Sequence, residues 1–300
     1  DCGETFQPKE ITTSAGYRVA DAIQNCPKCK RKMVSGYGAA TGIATPTQDM
    51  PLARNSSRKF DDGRNFANKI WNATRFALGN LAQGKAHGLP SVGFDGLSLV
   101  DRWIISRLHR TLHAVEDAVK EYQFNAYCDA MYDFVWRDFC DWYLEAIKPT
   151  VKSSPQQQQA LRSVLNAIMR LLHPIMPFVT ETLWAPVHAC GFAGLEGVKL
   201  EPSDLLATAE WPDIKCSVDD ETAIATFERI QNLVNAIRNL RSERQVPPRK
   251  KIHLAGSAKI VALIHQAACV LESLALLDHV VTLADTAPPP PGALPLAFVC

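Results

Sequence analysis

"GRNFANKIWNATRFALGNL", Gly63 to Leu81, decides the fold. Phe66, Ile70, Ala73, Ala77 and Leu81 recur every three to four residues, the period of one buried helical face. The remaining positions are crowded with amides and guanidiniums: Arg64, Asn65, Asn68, Lys69, Asn72 and Arg75. A helix with this pattern needs a core on one side and a polar partner on the other.

Outward from it, helical periodicity continues. Asp101 to about Lys120 reads as an amphipathic helix with Trp103, Leu108, Leu112 and Val115 facing a core. Tyr122 to Asn125 reads as a break. A second, aromatic-rich helix follows and ends before Pro149, with Tyr127, Met131, Phe134, Phe139, Trp142 and Tyr143 as packing residues. Asp138, Asp141 and Glu145 invite an acid–base reading, but carboxylates three or four apart on a helix form a solvated face. Ser154 and Pro155 are a cap and a first turn. Pro174 and Pro177 end that helix near His173 and start another that carries Thr180, Glu181 and Trp184; His173 reads as a packing or hydrogen-bonding residue.

A further helix is expected from a Ser217 cap and the acidic turn Asp219-Asp220-Glu221, with Ile224, Phe227, Ile230, Leu233, Val234, Ile237 and Leu240 on its buried face. Its end changes character. Arg238, Arg241, Arg244, Arg249, Lys250 and Lys251 stand against the single Glu243, and Pro247-Pro248 puts the last three on an extended segment. Such a cluster is either a polyphosphate site or a solvated helix end. Beyond it, "KIHLAG", a helix, "HVVTLAD" and "LPLAFVC" spell a small α/β subdomain, the last two strands joined by the stiff run Pro288 to Pro291.

At the other end, "CPKC" (Cys26 to Cys29) with Cys2-Gly3 has the spacing of a metal knuckle. Tetrahedral zinc takes four ligands, and Cys2, Cys26 and Cys29 supply three. The form C-x-x-C-G would put a fourth cysteine two residues before Asp1, so the site is expected to be structural and incomplete. Incidental loop thiols are the other reading. Catalytic zinc is not expected, because no His or carboxylate set accompanies the thiols. The other cysteines, Cys128, Cys140, Cys190, Cys216 and Cys269, read as reduced core thiols in a cytoplasmic protein, and Cys300 stands too near the end to interpret.

The chain has 300 residues, 47% of them hydrophobic and 21% charged, enough for one large or two modest folded domains. Its net charge of +1 gives no global attraction to nucleic acid or membrane, so a polyanion site must come from local clustering. No long apolar run or signal-peptide pattern is present in the sequence. The absence of an opening Met and the strand-like "LPLAFVC" at the end suggest a fragment of a longer protein.

"GRNFANKIWNATRFAL", "DWYLEAIKP", "LLHPIMPFVTETLW" and "AIRNLRSERQVPPRKKI" stand in one order at long separations, and together they resemble the C-terminal half of the valyl-tRNA synthetases, class I aminoacyl-tRNA synthetases. The resemblance spans Ala44 to about Ala284, and "ATPTQDMPL" is similar to the family's exit from the catalytic core. It implies a mainly α fold, the anticodon-binding helical bundle of class I synthetases (62–248), preceded by a zinc-knuckle segment (1–43) and a linker (44–61) and followed by a truncated α/β subdomain (249–300). It also implies that Trp71 packs its helix into the bundle while the amides and guanidiniums meet the catalytic core or tRNA. Anticodon bases are read by such groups, which makes Asn65, Asn68, Lys69, Asn72 and Arg75 candidate contacts beside the basic cluster.

The departures are as specific. No HIGH-type sequence is present, and "RKMVSG" lacks the second lysine of a KMSKS loop. Catalytic core, editing domain and coiled coil lie outside this chain. The expectation is therefore a monomeric fragment of valine–tRNA ligase that docks tRNA(Val) for a core using ATP and Mg²⁺ elsewhere in the same protein, without a membrane. The alternatives are a free-standing zinc-containing RNA-binding module and a helical interaction protein without RNA.

Overall fold

The computed structural model describes residues 2, 4–53, 58–81, 91–191, 194–247, 250–257, 260–262, 264 and 268–283. The chain divides into two compact units, Asp1–Asn65 and Phe66–Cys300. Gly3, Pro248, Arg249, the Pro288 to Pro291 run and "LPLAFVC" lie outside the described residues, as does the side chain of Cys269.

The first unit is built from short antiparallel hairpins. Strands β1 (Glu10–Thr12) and β2 (Arg18–Ala20) pair with Ile11 opposite Val19, and β3 (Ile23–Asn25) and β4 (Lys32–Val34) pair with Gln24 opposite Met33. Gln24 is buried and joins the hairpins: its Oε1 accepts from the Lys9 amide at 2.9 Å and its Nε2 donates to the carbonyls of Lys9 and Asp21. Ser35 then caps the short helix α1 (Gly36–Ala40) through the Gly38 amide. Gly38 lies so close to the Ala22 backbone that a Cβ would sit 2.6 Å from its carbonyl oxygen, which only glycine avoids.

The second unit is a helical bundle. Helix α2 (Arg58–Asn80) begins in the first unit and carries the quoted stretch; its five expected core residues, Phe66 to Leu81, are all buried. Helix α3 (Leu99–Lys120) is capped by Ser98 and buries Trp103, Leu108, Leu112 and Val115 as expected. After the break, α4 (Phe124–Tyr132) runs into a π-helix (Asp133–Tyr143) and then α5 (Leu144–Ile147). The sequence showed one continuous α-helix there; the wider π turns are a correction.

Helix α6 (Pro155–Leu172) starts and stops, and α7 (Pro177–Ala189) starts, where Ser154, Pro155, Pro174 and Pro177 place the boundaries. His173 shares a 2.9 Å hydrogen bond between its Nδ1 and the Thr180 hydroxyl, the bridging role expected of it. Buried Arg170 donates to the Asn166 side chain at 2.7 Å and to the carbonyls of Glu201 and Glu210, pinning the loop that crosses the bundle. That loop holds a two-residue pair, β5 (Val198–Lys199) with β6 (Asp213–Ile214).

Helix α8 (Glu221–Glu243) is capped by Asp220, not by Ser217, which lies in a preceding 3₁₀ turn. Tertiary contact selects the later cap. Ser106 of α3 accepts from the Asp220 amide at 2.9 Å, Arg102 pairs with the Asp220 carboxylate at 3.1 Å, and Arg110 pairs with Asp219 at 2.9 Å and with Glu221. Trp103 stacks on Phe227 with ring centroids 3.9 Å apart, joining α3 to α8 at the core. Strands β7 (Ile252–Gly256) and β8 (Leu277–Thr282) pair in parallel with α9 (Ala268–Ala275) between them, the α/β subdomain expected. Among the described residues no helix is long and apolar enough to cross a membrane.

Candidate nucleic-acid interface and cysteine knuckle

With about 100° per residue, the α2 residues fall into opposed stripes. Phe66, Ile70, Ala73, Thr74 and Ala77 are buried, while Asn65, Asn68, Asn72 and Arg75 are all exposed and align along the other side. Trp71 belongs to the outer half: it is 40% exposed, so its expected burial in the bundle is wrong. The inner stripe is already filled by Ile70 and Thr74, and one further step of the helix carries residue 71 out beside the amides.

Lys69 stands at the border of the stripes and has partners. Its Nζ is 2.7 Å from an Asp141 carboxylate oxygen and 4.8 Å from the ring centroid of Trp136, both on the π-helix. The carboxylates expected on a solvated face are thus paired. Asp138, only 14% exposed at its side chain, receives the Arg107 Nε at 2.8 Å, and Glu145 pairs with Lys148. Burial pushes the Asp138 pKa up, and the adjacent Arg107 holds back part of that rise.

Lys250 and Lys251 lie outside any helix and lead into β7, while the basic end of α8 before them is closed by its own contacts. Arg244 closes the helix, Gln245 turns it with φ of 51°, and the Arg241 guanidinium donates to the Pro247 carbonyl at 3.0 Å. Arg238 lies over Trp142, 5.6 Å from its ring centroid, and donates from Nε to the Leu274 carbonyl at 3.2 Å. Lys251 pairs with Asp278 at 3.0 Å. Arg244 and Lys250 are exposed, and Arg249 is outside the described residues. Sequence reading missed Trp136 and Trp142 as the seats of Lys69 and Arg238. No local pattern signals them, because each pairing joins distant helices.

In the first unit the ligand atoms of Cys2, Cys26 and Cys29 lie within 4.8 Å of one another, with the Cys2 and Cys26 sulfurs 3.5 Å apart. The turn between Cys26 and Cys29 is closed by the Lys30 amide on the Cys26 carbonyl at 2.9 Å, with Lys30 at φ of 59°. Backbone amides of Cys29 and Lys28 point at the Cys26 sulfur and lower its pKa to about 7; the Arg31 amide acts the same way on Cys29, but the neighbouring Cys2 and Cys26 thiols outweigh it and raise the Cys29 pKa. Amides aimed at thiolates stabilise the form that binds a metal, so the set fits zinc as three of its four ligands. The remaining thiols divide: Cys140 and Cys190 are buried as expected, but Cys128 and Cys216 are exposed.

Residues 101–255, just over half of the chain, match the model of the anticodon-binding domain of tRNA ligase. The valine–tRNA ligase of Thermotoga maritima is 41% identical over 218 residues, 71% of this chain and 23% of that protein. That of Staphylococcus aureus strain JH9 is 36% identical over 229 residues, 74% of this chain and 24% of its own length. The chain therefore spans about a quarter of the length of the curated relatives it matches. A solved LeuRS–tRNA–LeuAMS complex of Agrobacterium radiobacter is 18% identical, covering 58% of this chain and 19% of its own at a TM-score of 0.39, too slight a likeness to carry an argument. With more than half of its residues on that one model, the chain belongs to the anticodon-binding domain family of tRNA ligases.

Proposed function

We propose that the chain is the tRNA-docking part of a cytoplasmic, monomeric valine–tRNA ligase, receiving tRNA(Val) while a catalytic core uses ATP and Mg²⁺ to make and transfer valyl-adenylate. The observation that carries this reading is the identity with valine–tRNA ligases across most of the chain. The outer stripe of α2 supports it, since Asn65, Asn68, Asn72 and Arg75 present amide and guanidinium groups to solvent, the chemistry that reads single-stranded bases. In this reading Arg244, Arg249 and Lys250 hold phosphates, residues 44–61 join the bundle to the core, and Cys2, Cys26 and Cys29 hold a structural zinc that ties the stretch before β1 to the turn of the β3–β4 hairpin. No feature favours a free-standing zinc module.

Titrating the chain with tRNA(Val) and with a non-cognate tRNA over a range of salt tests the reading. Arg244→Ala and Lys250→Ala are expected to weaken binding to both tRNAs and to flatten the salt slope by about 0.7 to 0.9 for each phosphate no longer neutralised. Asn72→Ala is expected to weaken only the cognate complex, by about 1 kcal/mol, at unchanged slope. No retention of either tRNA at about 50 mM salt would overturn it.

A further inference from the structure

Lys69 of α2 and Arg238 of α8, far apart in sequence, flank one open groove of about 580 Å³, also lined by Asp141, Trp142, Asn235 and Leu274. That volume lies inside the roughly 300 to 1,000 Å³ of small-molecule sites, enough room for a base and its sugar. Its charges balance. Lys69 is paired with Asp141 at 2.7 Å, and Glu145 lines the groove along with Arg238, so its local field is not that of a polyanion site. A neutral, flat, polar ligand meets less opposition there than a phosphate.

Arg238 is held as a platform. Its guanidinium lies 5.6 Å from the Trp142 ring centroid, and its Nε is anchored on the Leu274 carbonyl at 3.2 Å. Trp142 is itself braced edge-on against Phe227 at 6.3 Å, so the platform is continuous with the core. Arg238 and Trp142 both line the groove, so the guanidinium and the indole beside it are within reach of a ligand there. Guanidinium planes stack with nucleobases as aromatic rings do. Asn235, exposed and three residues earlier on α8, supplies an amide donor and acceptor at the same wall.

We propose that this groove takes one unstacked base from a single-stranded loop of the tRNA, laid on Arg238 as the third layer of a Trp142–Arg238–base stack and hydrogen-bonded at its edge by Asn235. The inference rests on the tRNA-docking reading and changes the part played by Arg238, from phosphate contact to base platform.

The two parts separate on substitution. Arg238→Lys keeps the charge and loses the plane, so with the full chain it is expected to weaken tRNA(Val) binding about tenfold while leaving the salt slope unchanged. Asn235→Ala, a change on an exposed helical face, is expected to weaken binding by several fold, again without a change of slope. Binding by Arg238→Lys equal to the unsubstituted chain, together with a flattened salt slope for Arg238→Ala, would overturn the stack and make Arg238 a phosphate contact. Failure of the unsubstituted chain to bind tRNA at low salt would instead overturn the docking reading, and the base site with it.

Discussion

Tyr143→Phe should destabilise the bundle in a pH-dependent way. Asp101, in the first turn of α3, is fully buried, accepting from the Tyr143 hydroxyl at 2.8 Å and from the Ser98 hydroxyl at 2.6 Å. Burial, the largest influence, raises the Asp101 pKa above its ordinary 3.8, and the Ser98 and Tyr143 hydrogen bonds act against that rise. A carboxyl whose pKa is raised by folding gives stability that is full below the unfolded value and lost as pH climbs through the folded one. Removing the Tyr143 hydroxyl takes away a donor to the ionised form, so the folded pKa rises further and that loss extends to higher pH. While the carboxyl is ionised the cost is that of a hydrogen bond to a buried charge, about 2 kcal/mol. As acidification protonates it in the folded chain, the bond becomes one between neutral groups and the cost falls toward about 1 kcal/mol. All six tryptophans lie between Trp71 and Trp211, so urea unfolding followed by their fluorescence reports the second unit alone. A cost below about 0.5 kcal/mol at neutral pH, or one that does not shrink on acidification, would refute the reasoning.

Thr74→Val should raise stability by about 1 kcal/mol in the same assay, because the fully buried Thr74 hydroxyl has no hydrogen-bond partner among the described residues; a loss instead would reveal one. The chain prepared reduced and without chelator should carry one zinc in metal analysis and lose it in Cys26→Ser, whereas a zinc-free preparation would remove the site.

The bundle was legible wherever a boundary is written locally. Proline fixes its own backbone, so Pro155, Pro174 and Pro177 marked both ends of α6 and the start of α7 without help from the rest of the fold, whereas α7 runs on through Pro186 to Ala189. Cys26 and Cys29 are brought together for the same reason, by a short turn, while Cys2 reaches them from 24 residues away. Features decided by distant partners were not legible. Ser217 and Asp220 are both acceptable caps, and Ser106 and Arg102, more than a hundred residues away, choose between them. The outer stripe of α2 was readable from periodicity, but the side to which Trp71 belongs depends on which neighbours the core has room for. Nor could charge counting reveal that Lys69 and Arg238 rest on indole rings.

The π-helix makes chain length a constraint of its own. Its hydrogen bonds reach back five residues instead of four, so Asp133–Tyr143 holds more residues than an α-helix covering the same path. Deleting one of them would let the segment tighten into ordinary α-helix with its backbone bonds still made, a change that looks harmless locally. Because the surplus residue is what the wide turns absorb, the helices on either side would keep their phase, whereas the same deletion in a regular α-helical turn would rotate everything beyond it by about 100°. Relatives one residue shorter here should therefore keep the flanking helices in register and lose only the contact that the missing residue carried, such as Tyr143 on Asp101 or Trp142 beside Arg238.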